Sequence, residues 1–319
     1  LRIGLPCLMR LLLFIAVLVQ SALAFAAPPL LTPAALQPLL GQPNVRVLDI
    51  RDTDAYAAKH IAGALSAPYG TWRGPPTNPG ELPALQELTR RVQSLGLTPE
   101  VHAVVVSEGE DASDFGAAAR VYWTLKALGM KDLSILNGGM VAWSAAKLPE
   151  DSAPATVGAS TWQPALEPSL VASRDDVAKA VAAGNAKLVD ARPAAFYKGE
   201  TRAPAAKAAG TIRGAVNVDS TVWFAPNSGA FVSTDEARRI GTGLPVAGHD
   251  TITFCNTGQL AATDWFALSE VLGQPNVRLY PGSLVDWTQS PAMPAMDNVP
   301  NRARQLAIDW KLWWARHAN

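Results

Sequence analysis

The second half of this chain repeats the first. Residues 45–50 (VRVLDI) run into Arg51, and Lys187–Asp190 (KLVD) runs into Ala191 and Arg192, so Asp49-x-Arg51 matches Asp190-x-Arg192. Ile61-Ala62-Gly63-Ala64 matches Ile212-Arg213-Gly214-Ala215. Residues 102–107 (HAVVVS) match residues 250–255 (DTITFC). Gly138-Gly139-Met140-Val141-Ala142-Trp143 matches Gly282-Ser283-Leu284-Val285-Asp286-Trp287. Four landmarks in one order, 141 to 151 residues apart, make an internal duplication. Whatever one half folds into, the other must fold into as well. The 319 residues then divide into two domains of ordinary size.

Each copy alternates short apolar strand runs with helical patterns, clearest at 117–128 (AAARVYWTLKAL) and 261–272 (AATDWFALSEVL). Such alternation predicts an α/β fold, with a parallel sheet covered by helices in each domain. The pattern places an N-terminal domain at 33–148 and a C-terminal domain at 169–295. Residues 149–168, with Pro149, Pro154, Pro164 and Pro168, have linker composition. The tail 296–319 predicts a helix that carries Trp310, Trp313 and Trp314 beside Arg302, Arg304, Lys311 and Arg316. It is expected to pack on the globule; an amphipathic helix on a membrane surface is the other arrangement.

The beginning of the sequence reads as an address. Arg2 and Arg10 precede the apolar run 11–18, and Ser21-Ala22-Leu23-Ala24 fits a small-x-small cleavage site. That is a secretory signal pattern over residues 1–26, and it predicts a periplasmic or secreted protein with no integral span after cleavage. Cleavage would remove Cys7 and leave Cys255 as the only cysteine. Lys plus Arg and Asp plus Glu are both 27, so no basic excess points to nucleic acid. His60, His102, His249 and His317 lie far apart, so neither a metal nor any other cofactor is expected.

Cys255 directly follows the β-branched and aromatic run 251–254, and Asn256-Thr257-Gly258-Gln259 forms a turn before a helix that begins near Ala261. It therefore sits at the carboxyl end of a parallel strand and faces a helix N-terminus, where open α/β sheets hold ligands and anions. Such a setting favours a thiolate nucleophile.

These pieces resemble the tandem-domain rhodanese family of thiosulfate and 3-mercaptopyruvate sulfurtransferases. The matching stretches are 188–192 (LVDAR), 210–217 (GTIRGAVN), 254–258 (FCNTG) and 282–287 (GSLVDW). The resemblance implies that Cys255 accepts a sulfane sulfur as a persulfide and passes it to a thiol or cyanide acceptor, or to a protein. It also implies that residues 256–261 (Asn256, Thr257, Gly258, Gln259, Leu260 and Ala261) form the persulfide loop. Asp190 and Arg192 are then a supporting ion pair. Thiosulfate, mercaptopyruvate and polysulfide all stay open as donors.

Two departures bear on the donor. Thiosulfate-using relatives often carry cations just after the cysteine and four residues after the Arg of D-x-R; here Asn256, Thr257 and Phe196 stand there. Arg202 and Lys207, in the second copy's insertion, are the candidate anion contacts. The first copy has Ser107 in place of Cys255, among Glu108, Glu110, Asp111 and Asp114, and is expected to be inactive. The alternative function is a sulfur carrier that holds sulfur for a partner without turnover. A thiol redox enzyme would need an external resolving thiol. A phosphatase of the Cys-x5-Arg type is excluded, because the sixth residue after Cys255 is Ala261.

Overall fold

The computed structural model describes residues 27–246, 249–292 and 295–317. The signal pattern at 1–26 lies outside the described residues. Within Val45–Asp49, Val45 and Val47 turn to one face of the sheet and Leu48 to the other, and all three are buried. A strand that is apolar on both faces needs cover on both faces, which is how parallel sheets are built. The first sheet runs in the order Leu30–Leu31, Leu133–Leu136, His102–Val106, Val45–Asp49, Leu65–Ser66, and every pairing is parallel. The second runs Val216–Asn217, Lys187–Asp190, Thr251–Phe254, Val277–Leu279, again all parallel. A single bridge between Val171 and Leu279 stands where Leu30–Leu31 joins the first sheet.

The helix Ala112–Ala127 begins earlier than its apolar pattern suggests. Asp111 caps it by accepting from the Ser113 and Asp114 amides at 2.7 and 3.0 Å. It is buried over most of its surface, as a helix that is apolar all round should be. Its counterpart is α-helical over Gln259–Trp265 and continues as a π-helical stretch, Phe266–Val271. The two helices pack on each other between the sheets. Tyr122 meets Phe266 edge-on with centroids 5.1 Å apart, and Phe115 meets Phe266 likewise at 5.5 Å. Each such ring contributes about 1.5–3 kcal/mol by burial. One core therefore spans both domains, and it includes Val105 from the first and Val189 and Cys255 from the second. The sulfur lies on the side of its sheet that faces the other domain.

The proline-rich segment 149–168 is strapped to the first domain. Glu150–Asp151 pairs with His60–Ile61, and the Ser160 and Glu167 amides bond to Gln93 and Ala127 carbonyls at 2.9 and 2.7 Å. The C-terminal helix Arg302–His317 packs along one narrow line only, with Ile308 buried and its tryptophans exposed. This differs from the packed helix expected of the sequence, because the apolar residues outnumber the positions that reach the globule. Among the described residues no helix is long and apolar enough to cross a membrane.

Candidate active site

The strand Thr251–Phe254 ends at Cys255, which is 2% exposed. Two contacts fix its backbone. The Cys255 N–H donates to Ser283 Oγ at 3.0 Å, and the Cys255 carbonyl accepts from the Leu284 amide at 3.0 Å. Ser283 Oγ in turn donates to the Tyr280 carbonyl at 2.9 Å. Ser283 is fully buried and has φ +54°, a region that non-glycine residues seldom occupy. The hydroxyl is what that strained position gains.

Gly258 turns the loop into the helix at φ +72°, and a Cβ there would lie 2.3 Å from Arg120 Nη1 and 2.6 Å from the Pro281 carbonyl. Only glycine lets the loop approach both that closely. The loop then delivers the first turn of Gln259–Trp265, whose N–H groups have no intrahelical acceptor.

Asp190 and Arg192 form a buried pair beneath the loop. Arg192 Nε donates to Asp190 Oδ1 at 2.8 Å and Nη2 to Oδ2 at 2.6 Å. Thr211 Oγ1 donates to Oδ2 at 2.7 Å, and Arg192 Nη2 also reaches the Gly210 carbonyl at 2.8 Å. A buried pair survives only when its remaining lone pairs and protons are satisfied in this way. Arg192 Nη1 then reaches Asn256 Oδ1 at 3.3 Å, so the pair braces the loop. Phe196 lies against the same guanidinium, 5.8 Å from centroid to carbon.

Cations come to the loop from the other domain. Arg73 Nη2 donates to Thr257 Oγ1 at 2.8 Å, and Nη1 to Gln259 Oε1 at 3.2 Å. Tyr69 OH donates to the same Gln259 oxygen at 3.3 Å. Arg120, 1% exposed, donates to the Gly80 carbonyl at 2.8 Å and the Thr257 carbonyl at 3.4 Å. Burial pushes the Arg120 guanidinium down to about 10, with Tyr69 and Cys255 opposing and Arg73 adding to the fall. It stays charged at neutral pH. Burial pushes the Tyr69 phenol up, against the pull of Arg73 and Arg120, so Tyr69 remains a donor.

A cleft of about 420 Å³ runs from Ser107, Glu108 and Asp114 to Tyr69, Arg73 and Gln259. Gln259 Nε2 closes its edge by donating to Ser113 O and Oγ, both at 3.0 Å. Leu260 packs half-buried on the shared core, and Ala261, fully buried, accepts from Thr253 Oγ1 at 3.0 Å.

The structure thus brings Cys255, residues 256–261, Asp190 and Arg192 together. It does not bring Arg202 and Lys207 to them. Arg202 is held by Asp309 at 2.8 Å and by the Ala203, Pro204 and Ala206 carbonyls, and the Lys207 amide bonds to Thr288 Oγ1. Ser283, Tyr69, Arg73 and Arg120 are the site residues that sequence reasoning missed. Ser283 was visible as the departure from the repeated Gly138-Gly139. Arg120 was visible as a charge in the middle of the apolar run 115–125. Arg73 sits in a Pro- and Gly-rich loop without periodicity and gave no signal.

The rhodanese-like domain family matches residues 32–146 and 173–290. A thiosulfate sulfurtransferase of Azotobacter vinelandii is 33% identical over 274 residues, which cover 85% of this chain and 98% of that one. A sulfur carrier protein of Thermus thermophilus is 29% identical over 271 residues, covering 79% and 90%. The 3-mercaptopyruvate enzyme SseA of Escherichia coli superposes with a TM-score of 0.70 at 27% identity, covering 81% of this chain and 99% of that one.

Proposed function

The chain belongs to the rhodanese-like family and is a sulfurtransferase that works through a cysteine persulfide, and from that premise we propose that Cys255 carries the sulfur and that the first domain supplies the charge that binds an anionic donor. The observation that carries this reading is the pair Arg73 and Arg120, which reach from the first domain onto Thr257.

Thiosulfate is the donor that fits best. The Cys255 thiolate attacks the outer sulfur. The S–S bond breaks, sulfite leaves with the bonding electron pair, and the outer sulfur stays on Sγ as a persulfide anion. A thiolate or cyanide then attacks that outer sulfur and returns Cys255 as thiolate, a two-step covalent cycle with ping-pong kinetics. Arg73, which lines the cleft, holds the sulfonate end of the donor, and the buried Arg120 adds positive charge behind the loop through the Thr257 carbonyl. The loop at 256–259 and the first-turn N–H groups that follow hold the persulfide charge. Asp190 and Arg192 keep the loop in place through Asn256.

The two repeated units are taken to be an N-terminal domain at 33–148, without sulfur chemistry of its own, and a catalytic domain at 169–295. Residues 1–26 direct export to the periplasm or beyond, which N-terminal sequencing of the mature protein tests.

Intact mass after exposure to thiosulfate, mercaptopyruvate or polysulfide tests the chemistry. The expected result is the gain of one sulfur with thiosulfate, reversed by cyanide and absent in Cys255→Ser. Loading of that variant would sink the assignment. The second reading, a carrier, is supported by the likeness to the Thermus sulfur carrier protein. Turnover with cyanide alone excludes it; turnover only with a protein acceptor establishes it.

A further inference from the structure

The C-terminal helix Arg302–His317 takes no part in the site, and its apolar side is left exposed by the described residues. Leu306, Trp310, Trp313 and Trp314 are 61%, 63%, 49% and 56% exposed. They fall at i, i+4, i+7 and i+8, which is one stripe of a helix. The residues that meet the globule, Gln305, Ile308 and Leu312, lie on the opposite side, and only Ile308 among them is buried. The exposed rings are set against one another, Trp310 to Trp314 at 5.9 Å and Trp313 to Trp314 at 6.0 Å between centroids.

The charge beside this stripe is positive. Arg302 is exposed on the first turn. Arg304 and Lys311, with Lys198 from the body, line a cleft of about 540 Å³ whose one acidic wall residue is Glu200. Asp309 is the only acid of the helix, and it is taken by Arg202 at 2.8 Å. At about 1.5 Å per residue the helix is roughly 24 Å long, and the stripe from Leu306 to Trp314 runs along about half of that length.

We propose that this helix docks the protein on an anionic phospholipid surface. It lies in the plane of the interface, with the tryptophans among the headgroups and acyl boundary and the cations on lipid phosphates. Indole rings have an apolar body and a polar N–H, which matches that layer. A basic amphipathic helix supplies both terms such binding needs, buried apolar area and attraction to anionic lipid. A cationic surface beside the stripe is complementary to such a bilayer and repels a second copy of itself.

Co-sedimentation of the full chain with vesicles tests this, using phosphatidylcholine alone and phosphatidylcholine mixed with phosphatidylglycerol. The expected result is binding to the mixed vesicles, weakened by salt, with a blue shift of tryptophan emission. The triple variant Trp310→Ser, Trp313→Ser, Trp314→Ser should partition at least roughly tenfold less. Lys311→Gln should partition about fivefold less. Persulfide loading of Cys255 in solution should be unchanged in both variants. Absence of binding to the mixed vesicles overturns the proposal, as does equal partition of the triple variant. A concentration-dependent dimer lost in the triple variant, without vesicle binding, would assign the stripe to a second copy instead.

Discussion

Arg120 and Asp264 occupy the same turn of the repeated helix, since 117–128 (AAARVYWTLKAL) and 261–272 (AATDWFALSEVL) align residue for residue and each ends before a glycine. One is a buried cation and the other a buried acid. Lys126 and Glu270 are matched in the same way, and these two meet across the domain interface at 2.6 Å. The strand-end loops follow suit. Arg51 and Arg192 each hold the Asp two residues before them, and each then reaches the residue after the strand-end position. In the first domain that residue is Glu108 at 3.2 Å; in the second it is Asn256 at 3.3 Å. Glu108 neutralises Arg51 and leaves Ser107 near Glu110, Asp111 and Asp114. Asn256 adds no charge, and the cations on its loop, Arg73 and Arg120, come from the other half. Duplication kept the skeleton and reversed the charge, so the site is built across the repeat rather than within one copy.

The largest test of that asymmetry is Arg73→Gln. Charge-assisted hydrogen bonds contribute about 1.5–3 kcal/mol, so kcat/KM for thiosulfate should fall roughly tenfold to a hundredfold. The loss should appear mainly in KM, since the cation binds the donor and leaves the sulfur transfer itself unaltered. Unchanged steady-state kinetics would mean that the first domain supplies no charge to the reaction.

Ser283→Gly makes the second loop resemble the first, where Gly139 has φ +53° and a Cβ would lie 2.3 Å from the Ser107 carbonyl. It removes the bond to the Cys255 amide and relieves a strained φ. We expect about tenfold lower kcat with thiosulfate and little change in thermal stability, because a lost hydrogen bond of about 1 kcal/mol is offset by that relief. The reverse change, Gly139→Ser, should cost about 1–3 kcal/mol in denaturant unfolding. An unaltered kcat in Ser283→Gly would show that the hydroxyl is only a packing feature.

Much of this site was legible because it is local. The strand end, Cys255 and Gly258 are consecutive in one short stretch, Asp190 and Arg192 are two residues apart, and the duplication gave each motif a counterpart to be read against. The cations were not legible. The absence of charge at Asn256, Thr257 and Phe196 directed attention to Arg202 and Lys207, which are near in sequence, whereas Arg73 is separated by 184 residues from Thr257. A contact between domains leaves no periodicity in either. The alternation of strands and helices fixed the sheet type, yet it could not show that the two most apolar helices, each on its own sheet, pack against each other and join the two cores.

Asp264→Asn probes the acid that stands opposite Arg120 in the repeat. Burial raises this carboxyl well above its ordinary value, the Trp223 indole N–H at 2.9 Å opposes the rise, and Asp219 and Asp190 add to it. Its second oxygen has no hydrogen-bond partner among the described residues. A folded-state value above the unfolded one means that the native protein holds a proton the unfolded chain releases. Stability from this group is full below about pH 4 and falls as pH rises toward the folded value, by at most about 1.4 kcal/mol per pH unit. Denaturant unfolding as a function of pH should show that slope flattened in the variant. An identical slope would mean that Asp264 is not the group that titrates.

The smallest effect is expected at Ser107, and its smallness is informative. Ser107→Ala should leave turnover within about twofold and stability within about 0.5 kcal/mol. What Ser107 contributes to the fold is its carbonyl, which accepts from the Met140 amide at 3.0 Å, and alanine keeps that. A serine needs an adjacent base to act as a nucleophile. The nearby carboxylates are committed elsewhere, Glu108 to Arg51 and Asp111 to the helix cap. The stronger form of the test restores the nucleophile: Ser107→Cys in a Cys255→Ser background. The first loop then has the thiol, the strand end and the D-x-R pair, but it faces its own acids, and Arg73, although it lines the same cleft, donates with Arg120 to the second loop. Thiosulfate should not load that thiol, as intact mass would show. Loading at Ser107→Cys would mean that the strand-end loop alone suffices, and that the reversed charges are incidental to which half of the repeat carries sulfur.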